Sequence, residues 1–342
     1  ESVYLLLTSR LPTREELDAF KATLSDYRNL PSSFVRDMIL KAPGKNMMNI
    51  LSRSVLALYA YDENPDDISI PNVMRQSIAL ISQFPLLAVY GYQSYQHYHN
   101  GKSLFIHYPK SELDTAENLL YILREDGKFT KKEAELLDLA LVLHMEHGGG
   151  NNSTFTNVVI SSTGTDLYSA MAGSVGALKG PRHGGANIAV VEMMKAVINE
   201  IGYSEDEEVI KALIERIVKK DFYDKKGLVY GMGHAVYTLS DPRSLLLQEK
   251  AKELAKEKGM EKEFAFYQRF EKCAKEVLWQ YKHKHVSSNI DFYSGFVYTM
   301  LKLPIEIFTP IFAISRISGW SAHRIEELVG RGKIMRPAYM NI

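Results

Sequence analysis

After Gly184-Gly185 the apolar residues Val190, Met193, Met194, Val197 and Ile198 recur at i, i+3, i+4, i+7 and i+8. That spacing is one face of an amphipathic helix beginning near Ala186. Two further helix starts carry capping-box spacing. They are Thr13/Glu16, and Thr130/Glu133 ahead of Leu136-Leu137-Asp138-Leu139-Ala140-Leu141. Pro242 suits the first turn of another helix running through Leu245, Leu246 and Leu247 to Lys258, with Gly259 placed to end it. Period-two alternation is scarce, and the best strand candidates, Gly227 to Tyr230 and Leu104 to Tyr108, are short and isolated. The pattern predicts a mostly α fold without a fixed-period repeat or a Pro/Ser linker. Charge-dense stretches from Tyr203 to Lys226 and from Glu249 to Lys262 suggest a smaller, more exposed domain inserted in the second half.

Composition narrows the class. The 342 residues are 46% hydrophobic and 24% charged, which fits a folded globular chain with a sizeable core. From Gln76 to Gly101 no charged residue occurs. Ser82, Gln83, Pro85 and Gln93 interrupt that run, so a buried helical region is expected rather than a membrane span. The 41 Lys and Arg residues balance 41 Asp and Glu residues. No long-range positive field gathers nucleic acid or an anionic membrane, and any anionic ligand must be held by local arginines. The single cysteine, Cys273, excludes an intrachain disulfide and any multi-cysteine metal site, and a reducing, cytoplasmic setting is the expectation. The chain enters at Glu1 directly into Tyr4-Leu5-Leu6-Leu7, with no signal pattern before it, so a trimmed start is an open reading.

Three of the ten histidines lie beside glycine: His147 before Gly148-Gly149-Gly150, His183 in Gly180-Pro181-Arg182-His183-Gly184-Gly185, and His234 in Gly231-Met232-Gly233-His234. Such turns bring backbone close to a ligand and aim a ring at it. His183 also precedes the helix near Ala186, whose dipole disfavours imidazolium, so a neutral ring donating to a carbonyl is expected there. Asp291, among Ile290, Phe292 and Tyr293, is either a desolvated base beside a carbonyl or a helix N-cap. Arg243, Arg316 and Arg336 are candidate carboxylate ligands or plain surface arginines. A metal hydrolase built on His144, His147 and His283 is a distant alternative. His144 and His147 stand i, i+3 on an expected helix, but no acidic third ligand follows at a familiar offset, so no metal is expected. The Lys282-His283-Lys284-His285 run is expected to face solvent, and no Walker or dinucleotide motif supports nucleotide chemistry.

Together these segments resemble the citrate synthase family, which includes the 2-methylcitrate synthases. G-P-R-H-G-G-A-N (180–187) is similar to the family's G-P-x-H-G-x-A-N, G-M-G-H-A-V-Y (231–237) to G-x-G-H-x-V-Y, and N-I-D-F-Y-S-G (289–295) to N-x-D-x-x-S-G. The similarity runs from Leu143-His144-Met145-Glu146-His147 through Ser315-Arg316 and Gly319-Trp320-Ser321-Ala322-His323 to Arg336-Pro337. The resemblance implies an all-α homodimer, with a large domain over 1–185 and 302–342 and a small domain over 186–301 that close on the substrates. It implies condensation of an acyl-CoA with oxaloacetate and thioester hydrolysis, with no cofactor. His183 would hold the thioester carbonyl, Asp291 would remove the α-proton, and His234 would polarise the ketone. His147, Arg243 and Arg316 would bind oxaloacetate, with Arg336 reaching across the dimer. Backbone at Leu228, Val229, Gly231, Met232 and Gly233 would face CoA. Citrate synthase, 2-methylcitrate synthase and a silent acyl-CoA-binding paralogue all stay open. Thr238 and Ala338 depart from the family's usual basic residues, and the family's usual N-terminal segment would precede Glu1.

Overall fold

A computed structural model describes residues 1–234, 237, 239–283, 285–330 and 332–338, the side chain of Lys282 excepted. Its contacts divide the chain into two compact units. The first comprises Glu1–His183 and the segment from Thr309 onward, and the second comprises Gly184–Phe308.

The first unit holds α1 (Ser2–Thr8), α2 (Arg14–Asp26), α3 (Met47–Leu58), α4 (Ile70–Asn100), α5 (Thr115–Leu123), α6 (Lys131–His144), α7 (Asn152–Ser161) and α8 (Leu167–Leu178). Both expected capping boxes are present, at Thr13/Glu16 on α2 and Thr130/Glu133 on α6. Caps of this kind contribute about 0.5–2 kcal/mol each, which is why so local a pattern predicts a helix start. The uncharged run from Gln76 lies within α4 up to its C-cap Gly101, and Leu80, Phe84, Leu87 and Val89 of that helix are buried in the unit's core. Among the described residues no helix is long and apolar enough to cross a membrane.

The second unit holds α9 (Ala186–Ile201), α10 (Glu207–Val218), α11 (Pro242–Lys258), α12 (Glu261–Lys282) and α13 (Ile290–Met300). Of the apolar face read from the sequence, Val190, Met193, Met194 and Val197 of α9 are fully buried and Ile198, in its last turn, is half-buried. That face shares a core with the buried Phe264, Phe270, Phe292 and Phe296, whose large apolar rings each bury a sizeable area. Pro242 opens α11, and Gly259, at φ 66°, closes it as expected. The last helix, α14 (Phe308–Gly330), returns the chain to the first unit.

Neither strand candidate is a strand. Leu104–Tyr108 is irregular chain tied down by Tyr90 Oη, which donates to His107 O at 2.9 Å. Gly227 to Tyr230 is coil ending in a turn, entered through Gly227 at φ 74°. An extended segment needs a neighbour to satisfy its backbone, and these two have none. Among the described residues the strand-like pairing is one antiparallel bridge, Met232 with Ser288. The fold is all-α.

Candidate active site

In the first unit, α14 presents Phe312, Arg316, Gly319 and His323 at intervals of four, three and four, so the four lie along one face. The His144 ring meets Phe312 edge-on at 5.2 Å, the His183 ring does so at 5.9 Å, and the Arg316 guanidinium lies 4.8 Å over the same ring. Arg316 is 1% exposed, and its Nε–H donates to His144 O at 2.8 Å. The expected position of His147 on a helix with His144 is corrected here. The helix α6 ends at His144, and His147 lies in the turn beyond it. The backbone N–H groups of His147 and Gly148 both donate to Glu146 Oε1, so a carboxylate folds the chain back after the helix and breaks the i, i+3 relation.

His183 Nε2 lies 3.0 Å from Asn151 Oδ1 and 3.0 Å from Ser153 Oγ, at the start of α7. Trp320 Nε1–H donates to the same Ser153 Oγ at 3.2 Å. Burial, then the positive charge of Arg316, hold the His183 ring well below the ordinary imidazole range, at about 4. Burial and a neighbouring cation both favour the neutral histidine expected from the sequence.

In the second unit the Gly231-to-His234 loop is laced to the segment ahead of α13. Gly233 N–H donates to Ser287 O at 2.7 Å, and Asn289 N–H to Gly231 O at 2.9 Å. Asn289 Nδ2 donates to Gly233 O at 2.9 Å. Asn289 caps α13, its Oδ1 accepting the Asp291 N–H at 3.0 Å. The N-cap role weighed for Asp291 therefore belongs to Asn289. Asp291 sits in the first turn, where the helix dipole favours a negative charge. Gly231 is required. It adopts φ 78°, and a Cβ there would fall 2.9 Å from both Phe292 and Val190.

His234 Nδ1 accepts the Tyr237 N–H at 3.1 Å, and its Nε2 lies 3.3 Å from Arg243 Nη2. Arg243 is gripped by the 1%-exposed Asp241, with Nε–H to Oδ1 at 3.0 Å and Nη2–H to Oδ2 at 2.8 Å. Burial alone would raise the Asp241 carboxyl, but the Arg243 guanidinium outweighs it and holds it below the usual carboxylate range. Asp241 is also the N-cap of α11, accepting the Arg243 N–H.

The structure thus gathers His147, His183 and Arg316 in one unit, and His234, Arg243 and Asp291 in the other. Leu228 is exposed, Val229 is buried, and Gly231, Met232 and Gly233 form the laced loop. Arg336 is exposed in irregular chain after α14. Thr238 lies outside the described residues, as does Lys284; His283 and His285 of that run are exposed. The sequence reading missed Glu146, Asn151, Ser153, Asp241, Asn289, Phe312 and His323. Asp241 had a local signal as an acid directly before the Pro242 that opens a helix, and Asn289, Glu146 and His323 stand inside the segments that carry the family resemblance, without a role read for them. Among the described residues no group of three or more His, Cys, Asp or Glu could hold a metal ion.

A family model described as the C-terminal domain of citrate synthase matches residues 1–338. Citrate synthase of Deinococcus radiodurans is 39% identical over 325 residues, covering 94% of this chain and 79% of the relative. The citrate/2-methylcitrate synthase of Bacillus subtilis is 32% identical, covering 98% of this chain and 84% of that protein. The solved citrate synthase of Thermoplasma acidophilum, a ternary complex with carboxymethyl coenzyme A and oxaloacetate, superposes with a TM-score of 0.82 at 26% identity, covering 99% of this chain and 84% of that one. The chain belongs to the citrate synthase family.

Proposed function

We propose that this chain condenses acetyl-CoA with oxaloacetate and hydrolyses the resulting thioester, releasing citrate and CoA. The observation that carries the reading is the His234–Arg243 pair. With Nδ1 accepting the Tyr237 N–H, a neutral His234 carries its proton on Nε2. Nε2–H and the Arg243 Nη2–H then stand side by side as two donors, a fork suited to the ketone and carboxylate oxygens of a 2-oxo acid.

The first unit supplies the other chemistry. Trp320 donates to Ser153 Oγ, and the Ser153 O–H donates to Asn151 Oδ1 at 2.9 Å, so both oxygens that face His183 Nε2 are acceptors. The neutral ring then carries its proton on Nε2, and His183, anchored in this way, meets the thioester carbonyl. Asp291 takes a proton from the acyl α-carbon, and the enolate so formed beside His183 attacks the oxaloacetate ketone. The ketone oxygen gains its proton with His234 as donor, and water then cleaves the thioester to release CoA. His147 and Arg316 bind the substrate carboxylates. Backbone at Leu228, Val229, Gly231, Met232 and Gly233 faces CoA, and Arg336 acts across a homodimer interface. No cofactor takes part, and the buried single Cys273 suits a cytoplasmic setting.

The test is CoA release from acetyl-CoA with and without oxaloacetate. Burial pushes the Cys273 thiol up to about 11, so its background is small. Oxaloacetate-dependent release that Asp291→Asn abolishes supports the reading. Release without oxaloacetate, or none at all, overturns it in favour of a thioesterase or a silent acyl-CoA binder. Faster turnover with propionyl-CoA would instead make the chain a 2-methylcitrate synthase, a reading favoured by the Bacillus subtilis relative.

A further inference from the structure

His323 stands between two carboxylates. Its Nε2 lies 3.0 Å from Glu146 Oε1, on the turn that follows α6, and its Nδ1 lies 2.9 Å from Glu326 Oε2, one turn along α14. Carboxylates only accept, so both ring nitrogens must carry protons for both bonds to form. These two are the charged groups that face the ring, and a Cβ added at Gly149 would lie 3.9 Å from its Cε1. The Glu146 hydrogen bond accordingly raises the ring above the ordinary imidazole value.

The same Glu146 Oε1 that receives His323 also receives the N–H groups of His147 and Gly148. Burial acts to raise the Glu146 carboxyl, but His323 and those backbone donors outweigh it and hold it at about 2. Gly319, four residues before His323, makes the approach possible. A Cβ there would collide with the Glu146 carboxylate and the Met145 carbonyl. One oxygen atom therefore joins α14 to the backbone of the residue read as an oxaloacetate ligand.

We propose that His323 and Glu146 are a positioning pair that sets the His147 turn and, through it, the affinity for oxaloacetate. The inference rests on the reading of His147 given above. Neither residue needs to touch substrate. When His323 loses a proton it loses one of its two carboxylate bonds and the charge that anchors Glu146, and the turn loosens. Affinity for oxaloacetate then falls as pH rises.

The experiment measures KM for oxaloacetate and for acetyl-CoA, with kcat, from pH 6 to 9. It compares the wild type with His323→Gln, His323→Lys and His147→Asn. The wild-type KM for oxaloacetate is expected to climb on the alkaline side. His323→Gln keeps an N–H donor without the charge, so KM for oxaloacetate should be raised about tenfold at pH 6 and stay flat, with kcat changed less than twofold. His323→Lys should restore a low, pH-independent KM. Equal changes in both KM values, or an alkaline climb that His323→Gln retains, overturns the pair. If His323→Gln does not fold, Glu146→Gln is read the same way, since it keeps an acceptor for both backbone donors and removes only the charge. An unchanged oxaloacetate KM in His147→Asn would instead overturn the reading of His147, which separates the two failures.

Discussion

Arg243 reaches His234 at 3.3 Å only because Asp241, two residues back, holds the guanidinium by two parallel bonds while capping α11. A single carboxylate therefore fixes both a helix start and the direction of a binding side chain. Replacing Asp241 by Asn keeps a cap but leaves the fork without its charge. We expect KM for oxaloacetate to rise at least tenfold and stability to fall by about 1–2 kcal/mol, the range for a charge-assisted hydrogen bond and part of a cap. Steady-state kinetics beside urea unfolding reads both effects. An unchanged KM would mean that Arg243 holds its direction without help.

His183 should titrate near pH 4. Its pKa is lowered in the fold, so the unfolded chain binds the extra proton first as pH falls. The sign is therefore a loss of stability as pH drops from the ordinary imidazole value of about 6.5 towards 4, with none above it. Arg316→Met removes the second cause of the shift and should move the titration upward. Ring-proton NMR of His183 in both proteins checks this, and an upward shift absent from Arg316→Met would exclude the guanidinium as a cause.

The two loop glycines should respond differently to alanine. Gly231 and Gly233 both have positive φ, at 78° and 99°, but a Cβ at Gly233 meets nothing within 4 Å. Gly233→Ala should cost about 1–3 kcal/mol of backbone strain alone. Gly231→Ala adds a collision with Phe292 and Val190, worth about a further 1–3 kcal/mol of overpacking. Equal losses in chemical denaturation would show that the collision is relieved by movement of α13.

Behind α13, the buried Glu271 of α12 accepts from Ser288 Oγ at 2.7 Å and from Tyr293 Oη at 2.6 Å. Glu271→Ala strands the Tyr293 donor, leaves Ser288 only the longer 3.3 Å contact with Ser244 Oγ, and opens a gap, so about 2–4 kcal/mol of stability should be lost. Tyr293→Phe, which removes one donor, should cost about 1 kcal/mol. A smaller loss for Glu271→Ala than for Tyr293→Phe in urea titrations would exclude this carboxylate as the centre of the network.

Features written within a few residues were legible before any coordinates. Thr13 and Glu16, or Pro242 and Gly259, act on backbone a turn away, so their spacing carries their meaning. The apolar face of α9 was equally plain. Leu104 to Tyr108 misled because apolar content alone cannot say whether a neighbouring strand exists to pair with. His147 was misplaced because Glu146 turns the chain by accepting two backbone donors, and a glutamate in sequence gives no sign of that. The hardest relation was His323 with Glu146, 177 positions apart and joined only once α14 returns to the first unit. Asn151 and Ser153 are likewise 32 and 30 positions from the His183 they hold.

The lacing of Gly231 and Gly233 to Ser287 and Asn289 has a consequence for local opening. The amides of Gly233 and Asn289 are donors in one ring of bonds between the two segments, and the Asn289 side chain that joins this ring also accepts the Asp291 amide, so the three are coupled through Asn289. They should exchange deuterium as a single cooperative group, at one shared opening free energy. His234 and Asp291, though 57 positions apart in the chain, then gain and lose their working geometry together.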